Sequence, residues 1–335
     1  MKRLFTIALV VFGTIQGAKA QYGYIRLSGG YSWDAFQKTG QVLTFKPGSG
    51  TDPAGSAIVP MFNQNQSGDT SKYYLQNVNS GYAKGGSFSL HGGYMINPYF
   101  GVEMGLTYLW GSTINSSAHY NDALLGKGAT SSTSTYSNGL SIMPGVYLRA
   151  AKPEAKIAPF ARLGLSLPVF GATFHKLTID APNSILGVVK SEIDVKTEST
   201  VSLGVNGSLG ISYTPIPILS VFAEMNAQYL FVRPKTSTLT KYNLNISGTD
   251  NDMLATLSKF STVTEFVDKL DVNSNTVVFG KERVGSTPPV AGHNYVDETK
   301  AREELRTSAN FGAIGFNVGV VINMSKTIFA GLKKK

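Results

Sequence analysis

The sequence predicts an all-β fold, an eight-stranded antiparallel transmembrane β-barrel of the up-and-down type, with long extracellular loops and a short helix in the fourth loop. Three observations indicate this class. Eight segments alternate apolar and polar residues over roughly the ten positions that a tilted membrane strand requires. The connections between these segments alternate strictly between short and long. Aromatic residues cluster at the segment ends, as they do in the girdles of membrane barrels.

The composition fits this class and excludes several others. The chain has 335 residues, 36 glycines, no cysteine and only 15% charged residues. Without cysteine, a disulfide framework and zinc–thiolate chemistry are excluded. The formal net charge is +9, but the basic residues form no dense patch interleaved with aromatic residues. We therefore expect no nucleic acid partner.

The first twenty residues predict a secretory signal peptide. A basic pair at 2–3 precedes an apolar run over 4–15, and a small-residue ending at 18–20 is typical of a cleavage site. The apolar run is too short to cross a bilayer as a helix. The predicted division of the chain is a signal peptide at 1–20, an outer-membrane β-barrel at 21–324 and a basic C-terminal tail at 325–335.

The eight predicted strands follow a period of two. The third is the clearest, since Phe100, Val102 and Met104 begin an unbroken alternation with glycine and polar residues. Prolines weaken the fourth and fifth strands, because proline cannot donate to a ladder. The predicted strands are 22–33, 86–97, 100–110, 139–151, 157–170, 200–213, 218–232 and 310–324.

The connections predict which end of the barrel faces the periplasm. The short ones, each marked by proline, lie at 97–99, 152–154 and 214–217. The long ones span approximately 34–85, 111–138, 171–199 and 233–309. Short turns face the periplasm in bacterial barrels, so both mature termini are predicted to be periplasmic. Apolar residues at helical spacing also predict an amphipathic helix over 251–270, which either packs on the barrel or offers a docking face to a partner.

The aromatic residues predict two girdles, one at each membrane interface. Both tryptophans of the chain belong to the long-loop end. The predicted girdle residues are Tyr31, Trp33, Tyr108, Trp110, Tyr229 and Phe231 at the long-loop ends, and Tyr94, Tyr99 and Tyr213 at the short-turn ends.

Charged residues recur on the inward faces of the predicted strands. An eight-stranded barrel has an interior just wide enough for its own side chains. The inward charges lie about two to six residues from the short-turn ends and therefore share one zone of the lumen. They are Arg26, His91, Glu103, Arg149, Arg162 and Glu224. We favour structural ion pairs that fill the lumen, and the alternative is a gate in which an exchange of partners opens a narrow ion path.

The sequence predicts no catalytic, cofactor or metal site. None of the four histidines lies in a close His-x-Ser or paired-carboxylate arrangement of the kind that general-base catalysis uses. The local signatures of zinc proteases, P-loops, dinucleotide-binding folds and serine hydrolases are absent from the sequence. We therefore expect neither an enzyme nor a cofactor, and a lipid- or peptide-modifying enzyme is the least favoured alternative.

Three segments resemble the small outer-membrane β-barrel proteins of OmpA-like architecture, in the version common among Bacteroidota. They are the start at 21–26, the glycine-rich strand at 91–96 and the closing strand at 312–320. The resemblance covers nearly the whole mature chain. It implies an outer-membrane location, contact with lipid and lipopolysaccharide, and insertion by the barrel assembly machinery with periplasmic chaperones. The chain departs from the family at 325–335, because members often end close to a terminal aromatic residue.

The function that we expect is a structural or surface-interaction role, such as envelope integrity, adhesion or binding through the long loops. Loop length favours this role over a small gated pore for ions or small solutes. The pore is the alternative, and it gains if 34–85 or 233–309 contains a further hairpin that widens the barrel.

Overall fold

The computed structural model describes most of the chain between residues 22 and 324. The predicted signal peptide and basic tail lie outside the described residues. Among the residues described, no helix is long and apolar enough to cross a membrane. The described residues are 22–35, 41–46, 55–60, 62–65, 74–78, 81–122, 126–152, 155–183, 187–256, 261–276, 295–306 and 308–324.

The described residues form nineteen strands and one helical turn, α1 (Met253–Thr256). The strands are β1 (Tyr22–Asp34), β2 (Gln41–Lys46), β3 (Gly55–Pro60), β4 (Phe62–Asn65), β5 (Tyr74–Asn77), β6 (Gly85–Met95), β7 (Phe100–Gly111), β8 (Ile114–Asp122), β9 (Gly126–Arg149), β10 (Ile157–Asn183), β11 (Gly187–Ser199), β12 (Gly204–Ile216), β13 (Leu219–Val232), β14 (Pro234–Ile246), β15 (Thr249–Asp252), β16 (Val263–Val267), β17 (Arg302–Leu305), β18 (Ala309–Asn310) and β19 (Ala313–Met324).

Eight of these strands pair with one another in a ring. Its order is β1-β6-β7-β9-β10-β12-β13-β19, and β19 pairs with β1 again. Every neighbouring pair is antiparallel, as expected of an up-and-down barrel. The ring is uneven, because its strands range from 11 residues in β6 to 27 residues in β10. The prediction of an all-β, barrel-like chain is confirmed.

The predicted count of eight strands is wrong for the chain as a whole. The main sheet holds 17 strands, and β2 and β3 form a separate hairpin. The additional strands lie in the segments that were predicted to be long loops. They carry serine, threonine and lysine in place of a continuous apolar face, because a strand outside the lipid needs none. An apolar alternation therefore cannot reveal them.

The strands β8, β11 and β14, with the ends of β9 and β10 beyond the ring, form what we call the lobe. β8 pairs with β9, the far half of β10 pairs with β11, and β11 pairs with β14. The inner face of the lobe buries Ile193, Val195 and Leu239, with Leu177 packed against them. The lobe is thus a continuation of the barrel wall with a small core of its own.

The predicted helix over 251–270 is wrong. Within the described part of 251–270, only the single turn α1 is helical, and the N–H groups of Leu254 and Ala255 donate to the Asp252 carboxylate at 2.9 and 3.3 Å. Further along, β16 pairs with β14 and lies parallel to β17. The β-branched run over 262–264 favours a strand, and the free edge of β14 supplies its partner. The helical spacing of the apolar residues was coincidental.

The outer surface of the ring is an apolar belt. Along β12, for example, Leu209 is 70% exposed, while its neighbour Ser208 is buried inside. Such a belt faces lipid in membrane barrels. The exposed members of the predicted girdles are Tyr31, Trp33, Tyr99, Tyr108, Trp110, Tyr213, Tyr229 and Phe231, whereas Tyr94 is half-buried.

Candidate functional site: a plugged lumen

Five of the six predicted lumen residues meet inside the ring, and we call this cluster the plug. Each side chain points inward because it occupies an alternate position of its strand. The plug draws on five strands, β1, β6, β7, β10 and β13. Its members are Arg26, His91, Glu103, Arg162 and Glu224.

The two arginines and two glutamates of the plug alternate in a closed cycle. Arg26 Nη2 lies 3.5 Å from Glu103 Oε1, and Arg162 Nε lies 2.7 Å from Glu103 Oε2. The cycle closes at Glu224, which lies 3.3 Å from Arg26 Nη1 and 3.1 Å from Arg162 Nη1. Two guanidinium charges and two carboxylate charges cancel, so the buried cycle carries no net charge. Pairing of this kind is what makes buried charges tolerable.

Neutral side chains satisfy the remaining acceptor sites of the carboxylates. The Tyr24 hydroxyl donates to Glu103 Oε1 at 2.7 Å. Ser208 Oγ and Asn317 Nδ2 each donate to Glu224 at 3.1 Å. The plug is therefore a hydrogen-bonded network that five strands and their neighbours hold in place.

His91 joins the plug as a neutral base. Its Nδ1 lies 2.8 Å from Arg162 Nη2. A guanidinium group only donates hydrogen bonds, so the imidazole nitrogen that faces it must accept. The ring fits there because Gly105 leaves room on β7, where an added Cβ would lie 2.2 Å from His91 Nδ1. A side chain at position 105 would push the imidazole out of the network.

An aromatic layer lies beneath the plug, on the side of the short turns. The Arg26 guanidinium carbon lies 4.9 Å from the ring centroids of Tyr147 and Phe160 and 4.6 Å from that of Phe222. Such cation–π contacts stabilise a desolvated arginine. The members of the layer, all buried, are Tyr24, Met95, Tyr147, Phe160, Phe222 and Val321.

Most of this aromatic layer was missed from the sequence, although a signal was present. Tyr147 precedes Arg149 by two residues, and Phe222 precedes Glu224 by the same spacing. Residues two apart on a strand share one face. The aromatic residues singled out from the sequence were those of the lipid-facing girdles, and the rings of this layer, which share the parity of the inward charges, were not among them.

Arg149 is the predicted lumen residue that is not part of the plug. It is half-buried near the short-turn end, and its Nη2 donates to the carbonyl of Ala155 at 3.2 Å. It lines a cavity of about 420 Å³ that opens on this side of the aromatic layer. The prediction that all six charged residues share one zone of the lumen was therefore wrong for Arg149.

A second cavity, of about 110 Å³, lies between the plug and the long-loop end. Serine, threonine and asparagine side chains dominate its walls, and Arg162 and Glu224 of the plug belong to its lining. At its outer end the rings of Tyr82 and Phe311 stack with their centroids 5.0 Å apart, next to Leu230. Three groups of side chains thus follow one another along the lumen: the aromatic layer, the plug and this ring stack.

The remaining histidines do not join a site in the described residues. His175 is buried in the lobe, where its Nδ1 lies 3.0 Å from Thr135 Oγ1, and burial lowers its pKa to about 3. His119 is exposed on β8, and His293 lies outside the described residues. Over the residues described, no group of three or more His, Asp or Glu side chains is placed to hold a metal ion.

Comparison with known proteins agrees with this architecture. A family model described as "Outer membrane protein beta-barrel domain" matches residues 5–247. No curated protein matches the chain at a significant level. The family match covers well over half of the chain and includes seven of the eight ring strands. This chain therefore belongs to the outer membrane protein β-barrel domain family and is an integral barrel protein of the outer membrane.

Proposed function

We propose that this protein is a non-catalytic outer-membrane barrel with a structural or surface-interaction role, exerted through the lobe. The length of the lobe supports this most. The β10–β11 ladder runs from Ala172 to Asn183 beyond the belt. At about 3.3 Å per residue it extends roughly 40 Å along the strand. A rigid sheet of that length outside the lipid offers a partner a broad surface, while the plugged lumen offers a solute no path.

The outward face of the lobe supports the same role, because it is hydrated and charged. Glu192 lies between Lys241 Nζ, at 2.5 Å, and Lys190 Nζ, at 3.4 Å. The hydrogen bond from Lys241 lowers the pKa of Glu192, so the carboxylate stays charged in mildly acidic surroundings. Exposed pairs of this kind add little stability but keep a surface in water and out of lipid.

In this proposal the short-turn end and both mature termini face the periplasm, and the lobe faces outward. The arrangement follows the usual placement of short turns and long loops in bacterial barrels. The outward lobe then meets lipopolysaccharide, a host surface or a partner protein. The barrel assembly machinery and periplasmic chaperones would deliver the chain to the membrane.

An epitope tag tests this orientation. We expect a tag inserted at 185, between β10 and β11, to be labelled by antibody on intact cells, because the β10–β11 ladder ends at the Asn183–Gly187 pair, at the far end of the lobe. The matched control is a tag at 153, between β9 and β10, which we expect to be labelled only after the outer membrane is permeabilised. The reverse pattern would place the lobe in the periplasm and rule out a cell-surface role.

A small gated pore is the second candidate. The observation in its favour is that cavities of about 110 and 420 Å³ lie on opposite sides of the plug and aromatic layer. A rearrangement of the Arg26–Glu224 and Arg162–Glu224 pairs would have to join them. The aromatic layer and the Tyr82–Phe311 stack disfavour it, because they contain no ion pairs that could exchange.

Single-channel conductance distinguishes the two candidates. We expect no current steps from the purified protein in a planar bilayer, and none from Glu224→Ala, because two layers still close the lumen when the plug is damaged. A heat-dependent gel shift shows that each sample is folded, and an open porin in the same bilayer shows that the assay detects pores. Reproducible steps in the wild type that change with Glu224→Ala would establish the pore and refute the closed barrel.

A further inference from the structure

One edge of β10 is interrupted where this strand leaves the ring. β10 pairs with β12 as far as Ser166 and Gly204, and with β11 from Ala172 and Glu198 onward. Between these two points, in the described chain, no ladder pair joins residues 167–171 to residues 199–203. We call this gap the eyelet, because paired strands close it at both ends.

Local sequence accounts for the eyelet. Pro168 has no N–H to donate, and in the β9–β10 ladder, on the other edge of the strand, the register shifts between Pro168 and Phe170, so Val169 is an extra residue. On the other side, the chain turns away from β10 toward β13, where the Thr200 N–H donates to the Arg233 carbonyl at 2.8 Å. The Ser199 hydroxyl reaches back across the gap to the Gly171 carbonyl at 3.3 Å. Both sides of the eyelet are therefore shaped by the sequence.

The eyelet opens onto the lipid-facing surface. Phe170 is paired through Leu140 with Tyr108, so the eyelet lies level with the long-loop girdle, at the edge of the apolar belt. Exposed apolar side chains border it, and Phe170 at 68% and Val201 at 66% are among the most exposed of the chain. Exposed apolar side chains of this kind are favourable in contact with lipid and unfavourable in contact with water.

The inner side of the eyelet opens into the cavity above the plug. Pro168, Gly171 and Ser199 line that cavity together with Glu224 and Asn317 of the opposite wall. Its walls near the eyelet combine polar groups, such as Ser141 and Asn206, with apolar groups, such as Pro168 and Phe170. A cavity lined in this way suits a small molecule that carries both apolar and polar groups.

We propose that the eyelet is a side opening through which a small, neutral, amphipathic molecule passes from the lipid into the cavity and binds there. Three features define the guest. Entry from lipid requires a neutral molecule, since a charge is strongly disfavoured in hydrocarbon. The volume of about 110 Å³ limits the guest to roughly the size of a benzene derivative. Hydroxyl and amide groups of the wall, set among apolar groups such as Pro168 and Phe170, favour a guest with a polar group on an apolar body.

The absence of cysteine from the chain permits a direct test of the route. Ser141→Cys places one thiol on the cavity wall, opposite Pro168 in the β9–β10 ladder. The protein in lipid vesicles is treated with N-ethylmaleimide, which is neutral, or with a sulfonated maleimide, which is anionic. We expect N-ethylmaleimide to label the thiol and the anionic reagent to react at least about tenfold more slowly, because it does not enter lipid.

Blocking the eyelet should close this route. Gly171→Leu in the Ser141→Cys background adds a side chain whose Cβ would lie 3.3 Å from Ser199 Oγ, across the gap. We expect it to slow labelling by N-ethylmaleimide about tenfold, as a block of the entry path would. The matched control, Gly92→Leu, adds the same side chain where no atom lies within 4 Å of the new Cβ and should change nothing. If Gly171→Leu does not fold, Ser199→Leu blocks the eyelet from its other side.

The same thiol reports on the guest. Phenol and toluene are nearly equal in size, but only phenol carries a hydroxyl donor. We expect phenol to protect the thiol at concentrations where toluene does not, because only phenol can form hydrogen bonds with the hydroxyl groups of the cavity wall. Equal labelling by both maleimides without an effect of Gly171→Leu would show entry through the long-loop end and overturn the side opening. No labelling at all would show a sealed cavity, and equal protection by phenol and toluene would overturn the assigned guest.

Discussion

Replacing Glu224 with alanine is expected to lower the free energy of unfolding by about 3–5 kcal/mol, because two buried guanidinium groups then share one carboxylate. The Glu224 side chain is 1% exposed and contacts both Arg26 and Arg162. The measurement is urea unfolding of the protein folded in lipid vesicles, followed by tryptophan fluorescence.

Two variants show whether the loss comes from unpaired buried charge. Glu192→Ala removes an exposed carboxylate that also pairs with two cations and should cost no more than about 1 kcal/mol. The double variant Arg26→Met with Glu224→Leu removes one charge of each sign, and we expect it to lose less than Glu224→Ala alone. A loss below about 1 kcal/mol for Glu224→Ala would mean that the plug is hydrated and contributes little to stability.

The ring strands were predictable because lipid imposes the strongest pattern on them. Every outward position must be apolar along the whole membrane span, so Val205, Leu209 and Ile211 of β12 stand out against small inward residues. The short turns were predictable for a related reason, since proline marks them. This pattern does not predict which residues of neighbouring strands pair with each other, because the tilt of the strands determines the pairs.

The lobe was not predictable in the same way. The lobe segment of β9, over 126–138, consists largely of serine, threonine and glycine. Its inward hydroxyls pair across the ladder, as Ser137 does with Thr173 at 2.8 Å. A strand stabilised by such pairs and by its neighbours shows no apolar period, so a long polar segment is easily mistaken for a loop. The signal that could have predicted the lobe strands was the alternation of β-branched residues over a longer segment.

The plug was predictable in its members and not in its pairs. Inward parity and a similar distance from the short turns selected Arg26, Glu103 and Glu224 from the sequence alone. That Arg162 bridges both glutamates depends on how five strands are staggered around the ring, and no single strand records this. The eyelet is a similar case, since Pro168 marks a weak point in β10 but does not say which neighbour is lost.

Phe222→Ala is expected to destabilise the barrel by about 3–5 kcal/mol, the range for deleting a buried phenylalanine. Phe222 is 4% exposed and packs edge-on against Phe160, with ring centroids 5.9 Å apart. Its removal leaves a void beside the cavity on the short-turn side and takes away one of the rings around Arg26. Urea unfolding in vesicles measures this loss on the same scale as the loss from Glu224→Ala.

The comparison that matters is with Phe222→Leu, which keeps an apolar side chain but removes the aromatic face. The Arg26 guanidinium carbon lies 4.6 Å from the Phe222 centroid. Loss of this desolvated cation–π contact should lower the free energy of unfolding of Phe222→Leu by up to about 2 kcal/mol, in addition to the cost of the changed packing. In the Arg26→Met background the same substitution should cost less by that amount, because no cation remains above the ring. If Phe222→Leu costs the same free energy of unfolding in both backgrounds, the aromatic layer and the plug are energetically independent. A smaller cost in the Arg26→Met background would show that they are coupled, because the rings stabilise the arginine that pairs with the carboxylates.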